Sequence, residues 1–464
     1  MVNTNIARPP VSPVGLEYVA EALLEAGLPV SVLDLSFEAD WKEALRSALA
    51  ADEPVAVGLT VRNTDDCCFA TRSSFLPWIR EVVAEVKEIT KLPVFLGGVG
   101  FSTLPQATLT ITQADFGIEG DGEEIATAVV HCLRKRQDPR HLPNVVYRQD
   151  GRVNRNPRVD VDLRHLPLPR RRLFAKQRYE QLVGMVGVET KRGCPGRCIF
   201  CADPVAKGAR VRLRPPHMVA AELKDLLEQG VSWFYLCDSE FNLPLGHAKE
   251  VCQALIKKGL ADRIRWYTYC SPTPFDAELA RLMKRAGCAG INFGVDSLSQ
   301  EQLQRLGRSH SPEDVYELVQ LLSREGMNYM FDFLLGGPGE TPETVKTTIE
   351  KVREWDVPLA GIAAGVRVYP GTPLAEAIAS GALREGLHPK AVENPAQPLF
   401  YLSPYLGQDV STLIGELVGG DPRFLVLAEP GGAGSYNYAG AGKLSQLIQR
   451  GARGAYWDIL RQAT

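Results

Sequence analysis

Lys191-Arg192-Gly193-Cys194-Pro195-Gly196-Arg197-Cys198-Ile199-Phe200-Cys201 sets three cysteines at the spacing C-x3-C-x2-C in one short loop. The run Val186-Gly187-Val188-Glu189-Thr190 leads into it and reads as a buried strand. Three thiolates this close can converge on one soft metal centre. Three rather than four is the informative number. A cubane of four irons held by three cysteines leaves one iron open to a substrate or cofactor. A structural zinc site wants four ligands, commonly as two CxxC-like pairs, and the other cysteines of the chain are scattered. A disulfide reading needs an oxidising compartment. An inert buried trio is the remaining alternative; against it stands the Gly-Cys-Pro-Gly-Arg turn, whose small residues let backbone come close to a bound group.

Outward from the loop, residues 186–390 repeat a strand–helix unit. Six strands are expected, at Val186–Thr190, Trp233–Cys237, Ile264–Tyr269, Gly290–Gly294, Tyr329–Leu335 and Gly361–Val368. Helices of 3.6-residue apolar period lie between them, such as the one carrying Leu223, Leu226 and Leu227. Six units predict a partial TIM-like (β/α)6 barrel, with its chemistry at the carboxyl ends of the strands. The cysteine loop follows the first strand, as that placement requires.

Upstream, residues 1–143 alternate short strands and helices. A helix closes at Gly27, and strands are expected at Val30–Leu35, Val55–Thr60, Leu92–Gly98 and Phe116–Gly120. This is the pattern of an open α/β sheet whose ligands sit beyond the strand ends. The candidate edge is therefore the loops after Thr60, Gly98 and Gly120. The stretch Arg62-Asn63-Thr64-Asp65-Asp66-Cys67-Cys68 on that edge reads either as a ligand-facing loop or as one shaped by aspartate caps. Residues 144–185 read as a connector. Its Asp150-Gly151 signals a hairpin, and Pro167, Pro169 and Arg170-Arg171-Arg172 read as an extended, solvated linker. Residues 391–464 form a small C-terminal cap with an aromatic stretch, Phe400–Tyr405, a glycine-rich one, Gly431–Gly442, and an amphipathic end holding Tyr456-Trp457.

C-x3-C-x2-C after a strand resembles the signature of the radical S-adenosylmethionine (SAM) enzymes. The resemblance implies that Cys194, Cys198 and Cys201 hold a [4Fe-4S] cluster whose fourth iron is chelated by SAM. It extends to several strand ends. Asp238 and Glu240, in the segment Asp238-Ser239-Glu240-Phe241-Asn242 where family members contact the SAM amino group, follow the second strand. Ser271 follows the third, Asp296 and Ser297 the fourth. Arg308 would pair with the SAM carboxylate. Gly336-Gly337-Pro338-Gly339 matches the family's Gly-x-Pro-Gly element, where the backbone would lie against the sulfonium and ribose. Arg367 belongs to a further strand-end element.

The front region resembles the Rossmann-like cobalamin-binding domain of many radical SAM proteins, through Pro9-Pro10, Gly15-Leu16-Glu17-Tyr18, Gly97-Gly98 and Gly120-Asp121-Gly122-Glu123. Asn63, Gly97, Gly98 and Gly120 are the residues it implies at the corrinoid. The first strand would lie before the proline pair, where only eight largely polar or small residues remain. The D-x-H-x-x-G motif is absent and no histidine precedes His131, so none upstream of it can serve as a lower ligand. The Cys201-Ala202-Asp203-Pro204 stretch is similar to cobalamin-dependent methylases. The expectation is a C-methyltransferase acting on a small-molecule substrate, by radical or polar chemistry, with an electron donor such as flavodoxin or ferredoxin. A non-methylating radical SAM enzyme without corrinoid, and a non-catalytic iron–sulfur sensor or electron carrier, are the alternatives.

Bulk properties narrow the partners. The 464 residues carry a net charge of only −3, so bulk charge implies no nucleic-acid partner. No run of about 18 apolar residues appears and no signal pattern opens the chain. The expected location is the cytoplasm, with ten cysteines as free thiols or metal ligands.

Overall fold

The computed structural model describes residues 1–461 apart from 8, 184, 391–393, 395, 408 and 427–442. A front sheet takes seven strands: β1 Val2–Asn3, β2 Leu33–Asp34, β3 Val57–Thr60, β4 Val94–Gly97, β5 Phe116–Ile118, β6 Val145–Gln149 and β7 Arg152–Arg155. Their spatial order is β2-β1-β3-β4-β5-β6-β7. The first five are parallel, and the β6–β7 hairpin joins the edge antiparallel. Asp150 and Gly151 turn it with φ of 52° and 73°, the conformation the Asp-Gly pair favours. The hairpin therefore extends the front sheet, and only the chain beyond Arg155 acts as a connector.

The short first strand is present, and it is central. Only two residues long, it escapes hydrophobic patterning because Asn3 is buried at 0% exposure. The Asn3 amide is satisfied by Asp34 at 2.8 Å, Ser36 at 3.2 Å and Tyr179 at 3.2 Å. The helix Leu76–Ile89 shows the ordinary logic of the layer. Leu76, Ile79, Val82, Val83 and Val86 form its buried stripe, and the last four share one cluster with Val57, Leu59, Val94 and Leu96 of the sheet.

The second half begins at β8, Val186–Val188. A two-stranded ribbon follows, β9 Lys191–Arg192 with β10 Arg212–Leu213. Next come β11 Trp233–Leu236, β12 Arg265–Cys270, β13 Cys288–Asp296, β14 Tyr329–Leu335 and β15 Ala360–Ala364. The predicted last strand, Gly361–Val368, is two pieces. At Gly365 φ is 76°, and β16 Val366–Arg367 leaves to form a small sheet with β17 Leu387–His388 and β18 Phe400–Tyr401. A seventh barrel strand, β19 Phe424–Val426, comes from the C-terminal region, so the parallel order reads β19-β15-β14-β13-β12-β11-β8. The glycine-rich Gly431–Gly442 lies outside the described residues.

The connector is no solvated linker at its arginine cluster. Arg171 is 1% exposed. It pairs with Glu17 of the front helix Val14–Glu25 and, at 2.9 Å, with Glu222 of the barrel helix Pro216–Glu228; Arg214 reaches Glu222 at 2.7 Å. A second buried set crosses the same boundary. Arg192, from the cysteine loop, meets Glu123 at 2.6 Å and Asp121 at 3.1 Å, and Arg212 also pairs with Asp121. Charges desolvated in this way persist only when paired, so the two halves are held in one fixed relation.

Candidate active site

The cysteine loop is drawn tight by its backbone. Cys194 N–H donates to Gly208 O at 3.1 Å, Ile199 N–H to Leu306 O at 3.0 Å, and Leu374 N–H to Ile199 O at 2.9 Å. A Cβ on Gly196 would lie 3.3 Å from Cys194 Sγ and 3.9 Å from Cys198 Sγ, so the turn passes close to two of the sulfurs with little room for a side chain. Cys194 is buried, and Cys198 and Cys201 are half-buried. Burial pushes all three thiols upward. Among the described residues no three Cys, His, Asp or Glu side chains meet at a point for one ion. The three thiols lie on one short loop, and a cubane would take one thiolate at each of three corners.

Around the trio, Arg308 donates to Cys198 Sγ at 3.0 Å and to Gly294 O, and its Nε faces Asp296 at 3.1 Å. Burial pushes Glu240 up to about 8, with Arg308 opposing and Asp296 adding to the rise; its Oε2 is buried without a donor. An acid left unpaired beside three thiols fits a site built to receive a cationic centre.

Other expected SAM contacts are engaged within the protein. Asp238 accepts from Thr190 N at 2.8 Å, Lys191 N at 3.2 Å and Lys191 Nζ at 3.2 Å, so its carboxylate braces the entry to the cysteine loop rather than facing a ligand. Ser297 is buried against Thr348 at 3.3 Å. Ser271 has its backbone clasped by Asn242, at 2.9 and 2.8 Å. The glycines of Gly336-Gly337-Pro338-Gly339 serve internal packing: a Cβ on Gly336 would meet Leu402 at 2.6 Å, and Arg305 fills the space at Gly339. Glu340 accepts from the amides of Gly336 and Gly337. The space these glycines leave on their Cβ side is filled by the chain itself.

At the front domain's strand ends lies a cleft of about 120 Å³ holding Gly97, Gly98, Ser102 and Gly120. Gly98 has φ of +100°, and a Cβ there would stand 2.7 Å from Val61 O. Ser102 Oγ ties the edge together, donating to Gly98 O at 3.0 Å and accepting from Gly120 N at 2.9 Å. Beside it, a cavity of about 340 Å³ lies between the two domains. Its front wall carries Arg62, Asn63, Asp65 and Cys67; its barrel wall carries Phe200, Cys201, Asp203, Arg367, Tyr369 and Phe400. Val99 lines both spaces and is 45% exposed, an apolar side chain left open at the junction. Among the described residues no histidine lines either space.

The aspartates of the Asp65-Asp66 loop shape it without capping a helix: the next helix begins at Leu76 behind Phe75. Asp66 accepts from Cys68 N at 3.1 Å and Ser73 N at 3.2 Å, shaping the turn. Asp65 accepts from Cys67 N at 3.0 Å and also takes a two-pronged bond from Arg367, at 3.0 and 2.8 Å. Cys67 is exposed, and its Sγ lies 3.1 Å from the Tyr369 hydroxyl. Residues not anticipated as site members include Phe200, Asp203 and Phe400. Burial works against ionisation of Asp203, yet Lys207 and Ser239 hold its carboxyl below the usual range. Its position two residues beyond Cys201 was the available signal.

A profile of the radical SAM superfamily matches residues 188–352, and one of the B12 binding domain matches residues 3–130. A tryptophan 2-C-methyltransferase from Streptomyces laurentii is 31% identical over 442 residues, covering 82% of this chain and 74% of that protein. The chain belongs to the radical SAM superfamily. It is a member of the B12-binding methyltransferase branch represented by that relative. The structure of TsrM, a radical SAM methyltransferase from Kitasatospora setae, solved with tryptophan and a SAM analogue bound, superposes with a TM-score of 0.91 at 30% identity. That match covers 100% of this chain and 98% of the other. The cobalamin-dependent radical SAM enzyme OxsB shares the fold, with a TM-score of 0.71 at 17% identity over 87% of this chain and 63% of its own. For this radical SAM chain, then, the cysteine trio is the place for a [4Fe-4S] cluster and the strand-end edge around Gly98, Val99 and Gly120 the place for cobalamin. No described helix is long and apolar enough to cross a membrane.

Proposed function

We propose that the chain transfers a methyl group from SAM to a carbon atom of a small aromatic substrate, tryptophan or a close analogue. The observation that carries this is the interdomain cavity, where the front-domain edge faces Cys201 across a space walled by aromatic side chains, in a chain 31% identical to a tryptophan 2-C-methyltransferase. Cys194, Cys198 and Cys201 would hold the cluster, and the edge of Asn63, Gly98, Val99 and Gly120 the cobalamin. When bound, these groups supply SAM activation and methyl carriage.

The chain's own residues supply position and exclusion. Phe200, Tyr369 and Phe400 give flat apolar walls suited to a planar ring. The Asp65–Arg367 pair, with Arg367 NH1 also donating to Val368 O at 2.6 Å and Leu399 O at 2.9 Å, fixes the distance between front loop and barrel. Orientation of reactants in a cavity closed to water is the main contribution a protein makes to cofactor chemistry. The reduced cluster chemistry calls for a cytosolic setting and an electron donor of the flavodoxin or ferredoxin class. Incubating the anaerobically reconstituted protein with methyl-labelled SAM and tryptophan tests the reading. Label in a C-methylated product supports it; SAM turnover without labelled product removes it.

A further inference from the structure

One strand of the barrel breaks its own pattern. β14 reads Tyr329-Met330-Phe331-Asp332-Phe333-Leu334-Leu335, a single acid in an otherwise apolar run. Alternation sends Tyr329, Phe331, Phe333 and Leu335 outward into the helix-covered core and leaves Met330, Asp332 and Leu334 to the barrel interior. Leu334, and Ala363 on the neighbouring β15, line the interdomain cavity. Asp332 is the next interior residue below Leu334, about 7 Å along the strand.

The barrel is cleared for this acid. Asp332 pairs in register with Gly294 of β13 and Gly361 of β15. A Cβ on Gly361 would stand 2.7 Å from Asp332 Oδ1, and one on Gly294 would stand 2.9 Å from the Tyr269 hydroxyl. Asn292 Nδ2 donates to Asp332 Oδ2 at 3.2 Å, and the Tyr269 hydroxyl is its second donor. From below, the helix Tyr456–Arg461 fixes this set. Trp457 Nε1 donates to Asn292 Oδ1 at 2.5 Å, and Asp458 accepts from Tyr267 at 2.7 Å. The titratable groups facing Asp332 are Tyr269 from β12 and Asp296 at the end of β13, while Glu240 and Arg308 act on Tyr269 from beyond. The one charge acting on Asp332 itself, that of Asp296, is of like sign. Burial pushes the carboxyl up to about 7, Asn292 opposing and Asp296 adding to the rise.

We propose that Asp332 is the terminal proton acceptor for methyl transfer, reached through Tyr269. The inference rests on the methyl-transfer reading above. Replacing a C–H bond by C–CH3, with the methyl group delivered as a cation equivalent, releases one proton: substrate and SAM give methylated substrate, S-adenosylhomocysteine and H+. The electron pair of the broken C–H bond stays with the carbon. The proton passes to the Tyr269 oxygen as the phenol's own proton moves to Asp332, leaving a neutral acid and an unchanged phenol.

The test compares wild type, Asp332→Asn and Tyr269→Phe as reconstituted holoenzymes, by infrared titration and by methylation rate against pH. In the wild type, the carbonyl band of a protonated buried acid is expected to grow as pH falls through about 7. Asp332→Asn should lack it and Tyr269→Phe should keep it. The wild-type rate should rise with pH through the same range. Asp332→Asn should lower turnover about a hundredfold or more, leave KM for tryptophan unchanged and lose that limb. An Asp332→Asn protein that keeps the limb, or infrared spectra that superpose, would overturn the inference. So would a raised KM with intact turnover, which marks a substrate-binding acid. A wild type with the titrating band but no methyl transfer removes the methyl-transfer reading and this role with it. Methylation without the band sinks the inference alone.

Discussion

Arg367 joins the two walls of the cavity with a fork that lysine cannot reproduce. Charge-assisted bonds of this kind contribute about 1.5–3 kcal/mol. Arg367→Lys should therefore slow methyl transfer roughly tenfold or more while iron and sulfide content stay at the wild-type level, measured on the same reconstituted batch. Arg367 was legible from its strand-end motif; its partner was visible only as one of two adjacent aspartates. Asp238 shows the opposite. Motif position pointed to a ligand, but its carboxylate is saturated by Thr190 and Lys191. A strand-end acid can brace a loop or face a ligand, and only the fold decides. Glu240, two residues on, keeps an oxygen without a donor.

Among elements, the loop after β14 carries a sign-definite pH effect. Burial pushes Glu340 up to about 7, against the amides of Gly336 and Gly337 that favour its charged form. A carboxyl raised above its unfolded value binds more protons in the native state. Its contribution is complete at low pH and is lost as pH rises from about 4.5 to about 7. The cluster-free protein should lose stability over that interval, and Glu340→Gln should flatten the slope in thermal melts taken across it. A second element prediction concerns the turn at Gly98. Valine there meets Val61 O and a φ that β-branched residues avoid, so Gly98→Val should lose corrinoid on gel filtration while retaining iron. The barrel strands were readable because aromatic and aliphatic residues dominate runs such as Trp233–Leu236 and Tyr329–Leu335. β1 was not, since its buried amide is satisfied by residues far along the chain. The break at Gly365 was hidden because β15 and Val366 read as one run of small and apolar residues across it.

At the scale of the molecule, the domains are locked by buried charges. Removing one member leaves the others desolvated: Arg171→Ala takes from Glu17 its close partner and leaves Glu222 with Arg214 alone. It should cost about 3–5 kcal/mol in denaturant unfolding. The arginine cluster had the look of a solvated linker because local sequence cannot show what two distant helices place around it. The fixed relation of the domains is what lets the front edge, the cysteine loop and β16 share one cavity. Methyl transfer by the intact, anaerobically reconstituted protein therefore tests the account most directly. Supplied with iron, sulfide, cobalamin, reductant, methyl-labelled SAM and tryptophan, it should bind one cubane and one corrinoid per chain and yield C-methylated, labelled tryptophan or, with a close analogue in its place, the labelled analogue. A protein loaded with both cofactors that leaves tryptophan and its close analogues unlabelled, or one that binds no corrinoid, would contradict it.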